Sequence, residues 1–357
     1  MNAPVSEPDL IVRREGAAGV IRLNRPKAIN ALTLEMTREF DRALIAFAAD
    51  PQIAVVLVEG AGERGLCAGG DIVGLYNSAR EGGDLGKVFW REEYVMNARI
   101  AAYPKPYVAL MDGLVMGGGV GIAGHGSHRI VTEKTKIAMP EVGIGFFPDV
   151  GGTWLLTRAP GEIGTYFGIT GEIMNGADAI HARFADNFVP SVVWPDLREA
   201  LTAAPAGASA AQVREIIARF SLAPDPGPAQ QHQAQIDAAF GHDSIDEIIA
   251  ALEQDGSEFA QAALKTLRIK SPTSLKVTLK LLRMARNAAS LQECLVHEYR
   301  AALQVFVSDD FVEGVRAAVI DKDRQPKWRP ATIAEVTPEI VARYFVDRGA
   351  DELKFPG

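Results

Sequence analysis

Apolar residues at Met36, Phe40, Leu44 and Phe47 recur at intervals of three and four, the spacing that lines one face of a helix, and Thr33 stands where a helix N-cap would. On either side of this segment the pattern shortens. Leu10–Arg14 and Val20–Leu23 flank a glycine-containing turn and predict a β-hairpin. The runs IAVVLVE (53–59) and YVALM (107–111) are too apolar for a half-exposed strand and predict largely buried ones, and HRIV (128–131) predicts a further strand. A glycine-initiated helix is expected from Gly117, and a further helix over Gly152–Arg158. This alternation predicts a layered α/β core.

Beyond Pro190 the texture changes. AAPAGASAAQ and LAPDPGPAQQHQ are rich in alanine, proline and glycine and read as linkers or loop tips. Helical patterns follow at Gln212–Phe220, Ile245–Leu252, Glu258–Ile269 and Leu291–Val305. We place a boundary near residue 205, with an α/β core over 8–205 and a mainly helical region over 206–357. No internal sequence repeat is found.

Composition narrows the function. The 357 residues are about half apolar, enough to bury a large core, and carry a formal net charge of −8. With no concentrated basic face to neutralise phosphates, a nucleic-acid partner is not expected. The opening MNAPVSEPDL has the pattern of neither a secretory signal nor an arginine-rich transit peptide. The longest apolar stretch, PYVALMDGLVMGGGVGIAG, contains Asp112 and a glycine cluster, which fits a strand, turn and helix better than a membrane span. Cys67 and Cys294 form neither a disulfide framework nor a metal pattern, and a cytoplasmic setting is expected. No metal or separate cofactor is expected.

Candidate chemistry lies in three stretches. CAGGD (67–71) and MGGGVG (116–121) each follow a strand at a short interval. Glycine turns at such places let a ligand approach the backbone, and two of them could converge a pair of N–H donors on one oxygen. Gly119–Gly124 also matches G-x-G-x-x-G. A dinucleotide turn should follow its strand directly, however, and about seven residues separate Met111 from Gly119. The third stretch, MPEVGIGFFPDVGG (139–152), sets Glu141 and Asp149 eight positions apart among apolar, glycine and proline residues. A carboxylate in such a setting has a partner or a task. Structurally, Glu141 would be bonded to backbone N–H groups, and Asp149 would cap the helix begun by Gly151 and Gly152. Chemically, two acids in unequal environments divide proton acceptance and donation. His125 and His128 have neither a third metal ligand nor a nucleophile elbow nearby.

Taken in order, LNRPKAINALT (23–33), GLCAGGDI (65–72), FWREEY (89–94), KPYVALMDGLVMGGGVGIAGHG (105–126), MPEVGIGFFPDVGGT (139–153), SPTSLKVTLKLLR (271–283) and DDFVEGVRAAVIDKDRQPKW (309–328) resemble the crotonase (enoyl-CoA hydratase/isomerase) superfamily. The paired acids, REEY and the last stretch are similar to its 3-hydroxyisobutyryl-CoA hydrolase branch. The resemblance implies a crotonase-like superhelix of repeated ββα units, with helices at its C-terminal side and no cofactor beyond the coenzyme A of the substrate. It implies that the backbone N–H groups of Gly70 and Gly118 hold the thioester oxygen. Lys27, Ala28, Ala68 and Asp71 would line the adenine and pantetheine portion, and Lys27 or Arg25 could face a phosphate. Glu141 would be nucleophile or general base and Asp149 its partner. Glu93 would contact substrate, unless it pairs on its helix with Arg91 or Arg99. Phe146 and Phe147 would wall a small acyl pocket or belong to the core.

Hydratases of the superfamily carry two glutamates, and this sequence has Gly121 at the first of those positions and Asp149 where they have glycine. The resemblance therefore implies hydrolysis of a short, branched 3-hydroxyacyl-CoA, as in valine breakdown. A hydratase, isomerase or decarboxylase on the same fold is the alternative, and a non-catalytic structural homologue a further one. Homo-oligomers, trimers or hexamers, are common in the superfamily.

Overall fold

The structure is a computed structural model that describes residues 7–356. Its first strand, β1 (Leu10–Glu15), begins at the buried Leu10 and then alternates half-buried and exposed positions, and it pairs antiparallel with β2 (Ala18–Leu23). Next come β3 (Val55–Gly60), β4 (Gly65–Cys67), β5 (Tyr107–Met111), β6 (Leu114–Met116), β7 (His128–Val131), β8 (Lys136–Ala138) and β9 (Asn187–Phe188). Six form one sheet in the order β1-β2-β3-β5-β7-β9, parallel after the first pair, and β4-β6-β8 form a second, parallel sheet.

Chain order explains this division. From β3 to β8, each turn of the chain lays its first strand in the large sheet and its second in the small one, then enters a helix or helical turn. The sequence β3–β4 leads to α2 (Ile72–Arg80), β5–β6 to α4 (Gly118–Ala123), and β7–β8 to a 3₁₀ turn at Glu141–Ile144. This is the expected superhelix of ββα units, and its repeat is one of backbone geometry without a sequence repeat. Between these units lie α1 (Leu34–Ala49), capped by the Thr33 side chain, and α3 (Leu85–Ala101).

The central strands read as continuous apolar runs because both faces of the large sheet are covered. Val20, Val55, Leu57, Val108 and Ile130 point one way, against Leu197, Leu201, Val213 and Ile217 of the helices Trp194–Thr202 and Ala210–Ala218. Ile21, Val56, Val58, Ala109 and Val131 point the other way, into the main core. The stretch AAPAGASAAQ is a tight connection between those two covering helices. Ala204 and Ala208 are buried in it, and Ser209 forms a capping box with Gln212.

The later helices fall close to the predicted segments. Ser244, Ser257, Ser271, Ser290 and Ser308 each cap the helix that follows, accepting from an N–H three residues on. The helix Leu291–Phe306 packs against α3, and the helix Asp309–Val315 continues into a π-helical turn at Arg316–Ile320. Both cysteines are buried and unpaired. Among the described residues, no helix is long and apolar enough to cross a membrane.

Candidate active site

The small sheet positions the site. Its three parallel strands end together, so the three turns that leave them are neighbours: Ala68–Asp71 after β4, Gly117–Gly118 after β6, and Met139–Glu141 after β8. These turns, with α3 and the π-helical turn, enclose a cleft of about 780 Å³ lined by Ala68, Gly70, Glu93, Gly118, Glu141 and Asp149 among others. Strand β6 occupies the interval between Met111 and the glycines, so the G-x-G-x-x-G match does not leave its strand as a dinucleotide turn would.

Glycine is required where these turns meet. Gly117 has φ 48°, and a Cβ there would lie 2.8 Å from Glu141 Oε1. A Cβ on Gly118 would lie 2.6 Å from Glu93 Oε1 and 3.3 Å from the Gly70 nitrogen. Thus Gly70, Gly118 and two carboxylates converge within one side chain's width. As the first residue of α4, Gly118 has no intrahelical acceptor for its N–H. Among the described residues, neither that N–H nor the one of Gly70 has an acceptor.

Three carboxyl groups face this point from three elements: Glu93 from α3, Glu141 from the 3₁₀ turn, and Asp149 from the loop before the helix Gly152–Leu156. They are 2%, 7% and 5% exposed, yet Glu93 Oε1 and Glu141 Oε2 have no hydrogen-bond partner. Asp149 Oδ2 accepts from the Tyr94 hydroxyl at 2.8 Å. Burial pushes Glu93 and Glu141 well above the usual carboxylate range, and the charge of Asp149 pushes them further. Burial also raises Asp149, to about 7, against the pull of the Tyr94 hydroxyl.

The structural alternatives for Glu93 and Asp149 are not realised. Arg91 bonds to the Tyr299 hydroxyl and the Asp351 carbonyl, and Arg99 pairs with Asp41, so neither reaches Glu93. The helix that Asp149 would cap is instead capped from a distance. Glu298 accepts from the Gly151 N–H at 2.7 Å, from the Thr153 N–H at 3.1 Å, and from the Thr153 hydroxyl. Phe146 stacks between Trp90 and Phe147 and lines the cleft, whereas Phe147 is wholly core.

Other predicted residues sit further out. Lys27 and Ala28 are exposed on a 3₁₀ turn, Pro26–Ala28, outside the cleft lining. Asp71 caps α2 through the Gly74 N–H at 3.4 Å and pairs with Arg25 at 3.5 Å. His125 bonds to the Val150 carbonyl, and His128 to Ser127 and the Ala210 carbonyl. Lys270, Arg324 and the apolar Ala317–Val319 also line the cleft, and sequence reasoning singled out none of them. Tyr94 lies inside the REEY stretch, but nothing in its spacing foretells the bond to Asp149.

A sequence model of the enoyl-CoA hydratase/isomerase family matches residues 18–345. This chain belongs to that family. It is 42% identical to the mitochondrial 3-hydroxyisobutyryl-CoA hydrolase of Rattus norvegicus, over 99% of this chain and 93% of that protein. The human enzyme of the same name is 41% identical, over 97% and 91%. Among solved structures, a carnitinyl-CoA dehydratase from Mycobacterium thermoresistibile superposes with a TM-score of 0.93 at 45% identity, covering 98% of this chain and all of that one. An enoyl-CoA hydratase from Rhodobacter sphaeroides 2.4.1 gives 0.91 at 44% identity with the same coverage.

Position 121 of this enoyl-CoA hydratase/isomerase family member is tightly enclosed. A Cβ on Gly121 would lie 2.8 Å from the Val150 Cβ and 2.9 Å from the Asn97 Nδ2. There is no room for the glutamate that the resemblance places there in hydratases.

Proposed function

We propose that this protein hydrolyses the coenzyme A thioester of a short, branched 3-hydroxyacyl group, with 3-hydroxyisobutyryl-CoA as substrate. One observation carries the reading: two unengaged backbone N–H groups from separate ββα turns meet beside Glu141, a buried carboxyl with an unpartnered oxygen. In this reading the thioester oxygen accepts from the Gly70 and Gly118 N–H groups, which stabilise the negative charge it gains when the carbonyl carbon is attacked. Asp149 and Glu141 share one proton, and with that proton on Asp149 the Glu141 group is a carboxylate. The Glu141 carboxylate then attacks the carbonyl carbon, or removes a proton from the water that does. The carbon–sulfur bond breaks, and the protonated Asp149 gives its proton to the departing thiolate. Where Glu141 has attacked, water then cleaves the acyl–Glu141 anhydride, Asp149 taking a proton from that water, which frees the acid and restores the Glu141 carboxylate. Glu93 faces the same point and is suited to receive the hydroxyl of a 3-hydroxyacyl group. The names of the hydrolase relatives support this substrate.

The names of the two solved structures favour hydration or dehydration of a double bond instead. Closure of position 121 argues against two-glutamate hydration. The deciding experiment gives the pure protein 3-hydroxyisobutyryl-CoA and, separately, crotonyl-CoA, and follows free thiol and loss of unsaturation. Thiol release from the first alone is expected. Loss of unsaturation without thiol release would replace hydrolysis with hydration.

A further inference from the structure

The turn that carries Asp149 is held in an unfavourable shape. Val150 has φ 53° and Gly151 φ 76°, two consecutive residues in the left-handed region. Gly151 suits that region, but a β-branched residue such as Val150 adopts it only when its surroundings impose it. The imposing groups can be named. The Val150 side chain is buried in the space beside Gly121. His125 Nε2 lies 2.8 Å from the Val150 carbonyl, which can only accept, so the ring donates. Burial lowers the His125 pKa to about 4, which keeps the ring neutral with its proton on Nε2. On the other side, both oxygens of Glu298 are engaged by the Gly151 and Thr153 N–H groups and the Thr153 hydroxyl. A Cβ on Gly151 would lie 2.6 Å from both His125 Nε2 and a Leu291 methyl. The turn is gripped from two sides.

We propose that Glu298 and His125 are positioning residues: together they clamp the Asp149–Val150–Gly151 turn in its left-handed form and so aim the Asp149 carboxyl at Tyr94 and the cleft. The assignment rests on the role given to Asp149 above. Glu298 comes from the helix Leu291–Phe306, far in sequence from the ββα units, and links the helical layer to the reacting acids. When it is ionised, its charge also reaches Tyr94 and Glu141. An ordinary serine or threonine cap would hold the short helix Gly152–Leu156. A carboxylate that also takes the Gly151 N–H fixes the residue pair next to Asp149.

The test compares Glu298→Gln with the wild type and uses Thr153→Ala as a milder variant, in case the first does not fold. With the clamp loosened, kcat for thiol release should fall at least tenfold while KM changes less than threefold. The acid limb of the kcat profile should move to lower pH, because a displaced Asp149 is better hydrated. Asp149 is faced by Tyr94 and Glu93 from α3, Glu141 from the 3₁₀ turn and Glu298, and only the last is altered. In an Asp149→Asn background the Glu298 change should alter kcat less than twofold, since its effect passes through Asp149. A variant that loses thermal stability but keeps kcat and its pH profile overturns the proposal, as do losses that multiply across the two sites. Crystal structures of wild type and variant test the clamp apart from turnover. Val150 should leave the left-handed region and Asp149 should lose Tyr94, and an unchanged turn refutes the clamp even if the wild type proves inactive on thioesters.

Discussion

Two buried glutamates lie close to the loop that carries Asp149 and are engaged differently. Glu298, behind the Gly151 turn, accepts three hydrogen bonds, whereas Glu141, on the cleft floor, leaves Oε2 without a partner. Burial raises both, Glu298 to about 8 and Glu141 well above the usual range. Burial alone therefore does not mark a reacting group. What separates them is satisfaction: an engaged carboxylate holds structure in place, and an unengaged one beside free N–H donors keeps capacity for a ligand. An unpaired buried polar group lowers stability by about 1–3 kcal/mol. Such a deficit persists where function needs it.

The largest expected effect tests the unengaged side. Glu141→Gln keeps the shape but can neither attack nor accept a proton. We expect kcat for thiol release to fall by about three to four orders of magnitude, the upper range for losing a general base or nucleophile. Acyl-CoA binding should persist, and Tm should hold or rise because a buried acid has been removed. A variant with unchanged kcat would take Glu141 out of the chemistry.

Gly118→Val follows. Its Cβ would meet Glu93 Oε1 at 2.6 Å and stand 3.3 Å from the Gly70 nitrogen, in the space the thioester oxygen would occupy. Losing the use of that donor pair should lower kcat/KM by about two to three orders of magnitude. Thermal stability should change less than for overpacking of a closed core, because Gly118 lines the cleft. Full activity in a folded variant would remove Gly118 from the site, whereas outright unfolding would make MGGGVG a packing turn only.

The pH dependence of stability is smaller. Asp149 holds its proton to about 7 in the folded chain, against a reference value of 3.8. Between those values the folded form binds more protons than the unfolded form, so this group's contribution is complete below about pH 4 and is lost as pH rises toward 7. A shift of that size is worth about 4 kcal/mol at most, and water entering the cleft reduces it. Thermal melts from pH 5 to pH 8 should show Tm falling by a few degrees more in the wild type than in Asp149→Asn. Identical slopes would mean that Asp149 is ordinarily acidic and cannot return a proton to the thiolate.

The two glutamates also differ in how far the sequence revealed them. Glu141 stands out as a carboxylate in an apolar, glycine-rich stretch, and Asp149 beside it, because polar groups among apolar neighbours break a pattern. Glu298 sits in LQECLVHEYR, a helix with polar residues on every turn, where another glutamate breaks nothing. Its task arises only when that helix meets the Gly151 turn, about 150 residues away. Glu93 lay between, since Arg91 and Arg99 are near it in sequence and only tertiary packing turns them elsewhere. The long strands and capped helices were legible from period and caps. Strands β4, β6 and β8 were not, because three residues are too few to show a period.

The smallest effect tests the engaged side on a carboxylate nearer the surface. Asp71 follows the Gly70 donor directly, and the family resemblance assigns it to the ligand-lining loop. Its Oδ1 accepts from the Gly74 N–H at 3.4 Å, its Oδ2 faces Arg25 at 3.5 Å, and its side chain is 35% exposed. By the contrast drawn between Glu298 and Glu141, a partnered carboxylate of this kind supports its helix. Asp71→Ala should then lower stability by about 0.5–1 kcal/mol, the usual loss for an N-cap, and the long bond and weak ion pair set it at the low end. Activity should change less than threefold, because α2 is anchored at the same end by the bonds between Leu32 and the backbone of Gly69 and Asp71. Melting curves and thiol-release kinetics on one preparation decide the matter. A tenfold rise in KM at unchanged Tm would place Asp71 against the coenzyme A portion of the substrate. Satisfaction of a carboxylate would then cease to separate structural from functional acids at the rim of the cleft, and the distinction would hold only at its floor.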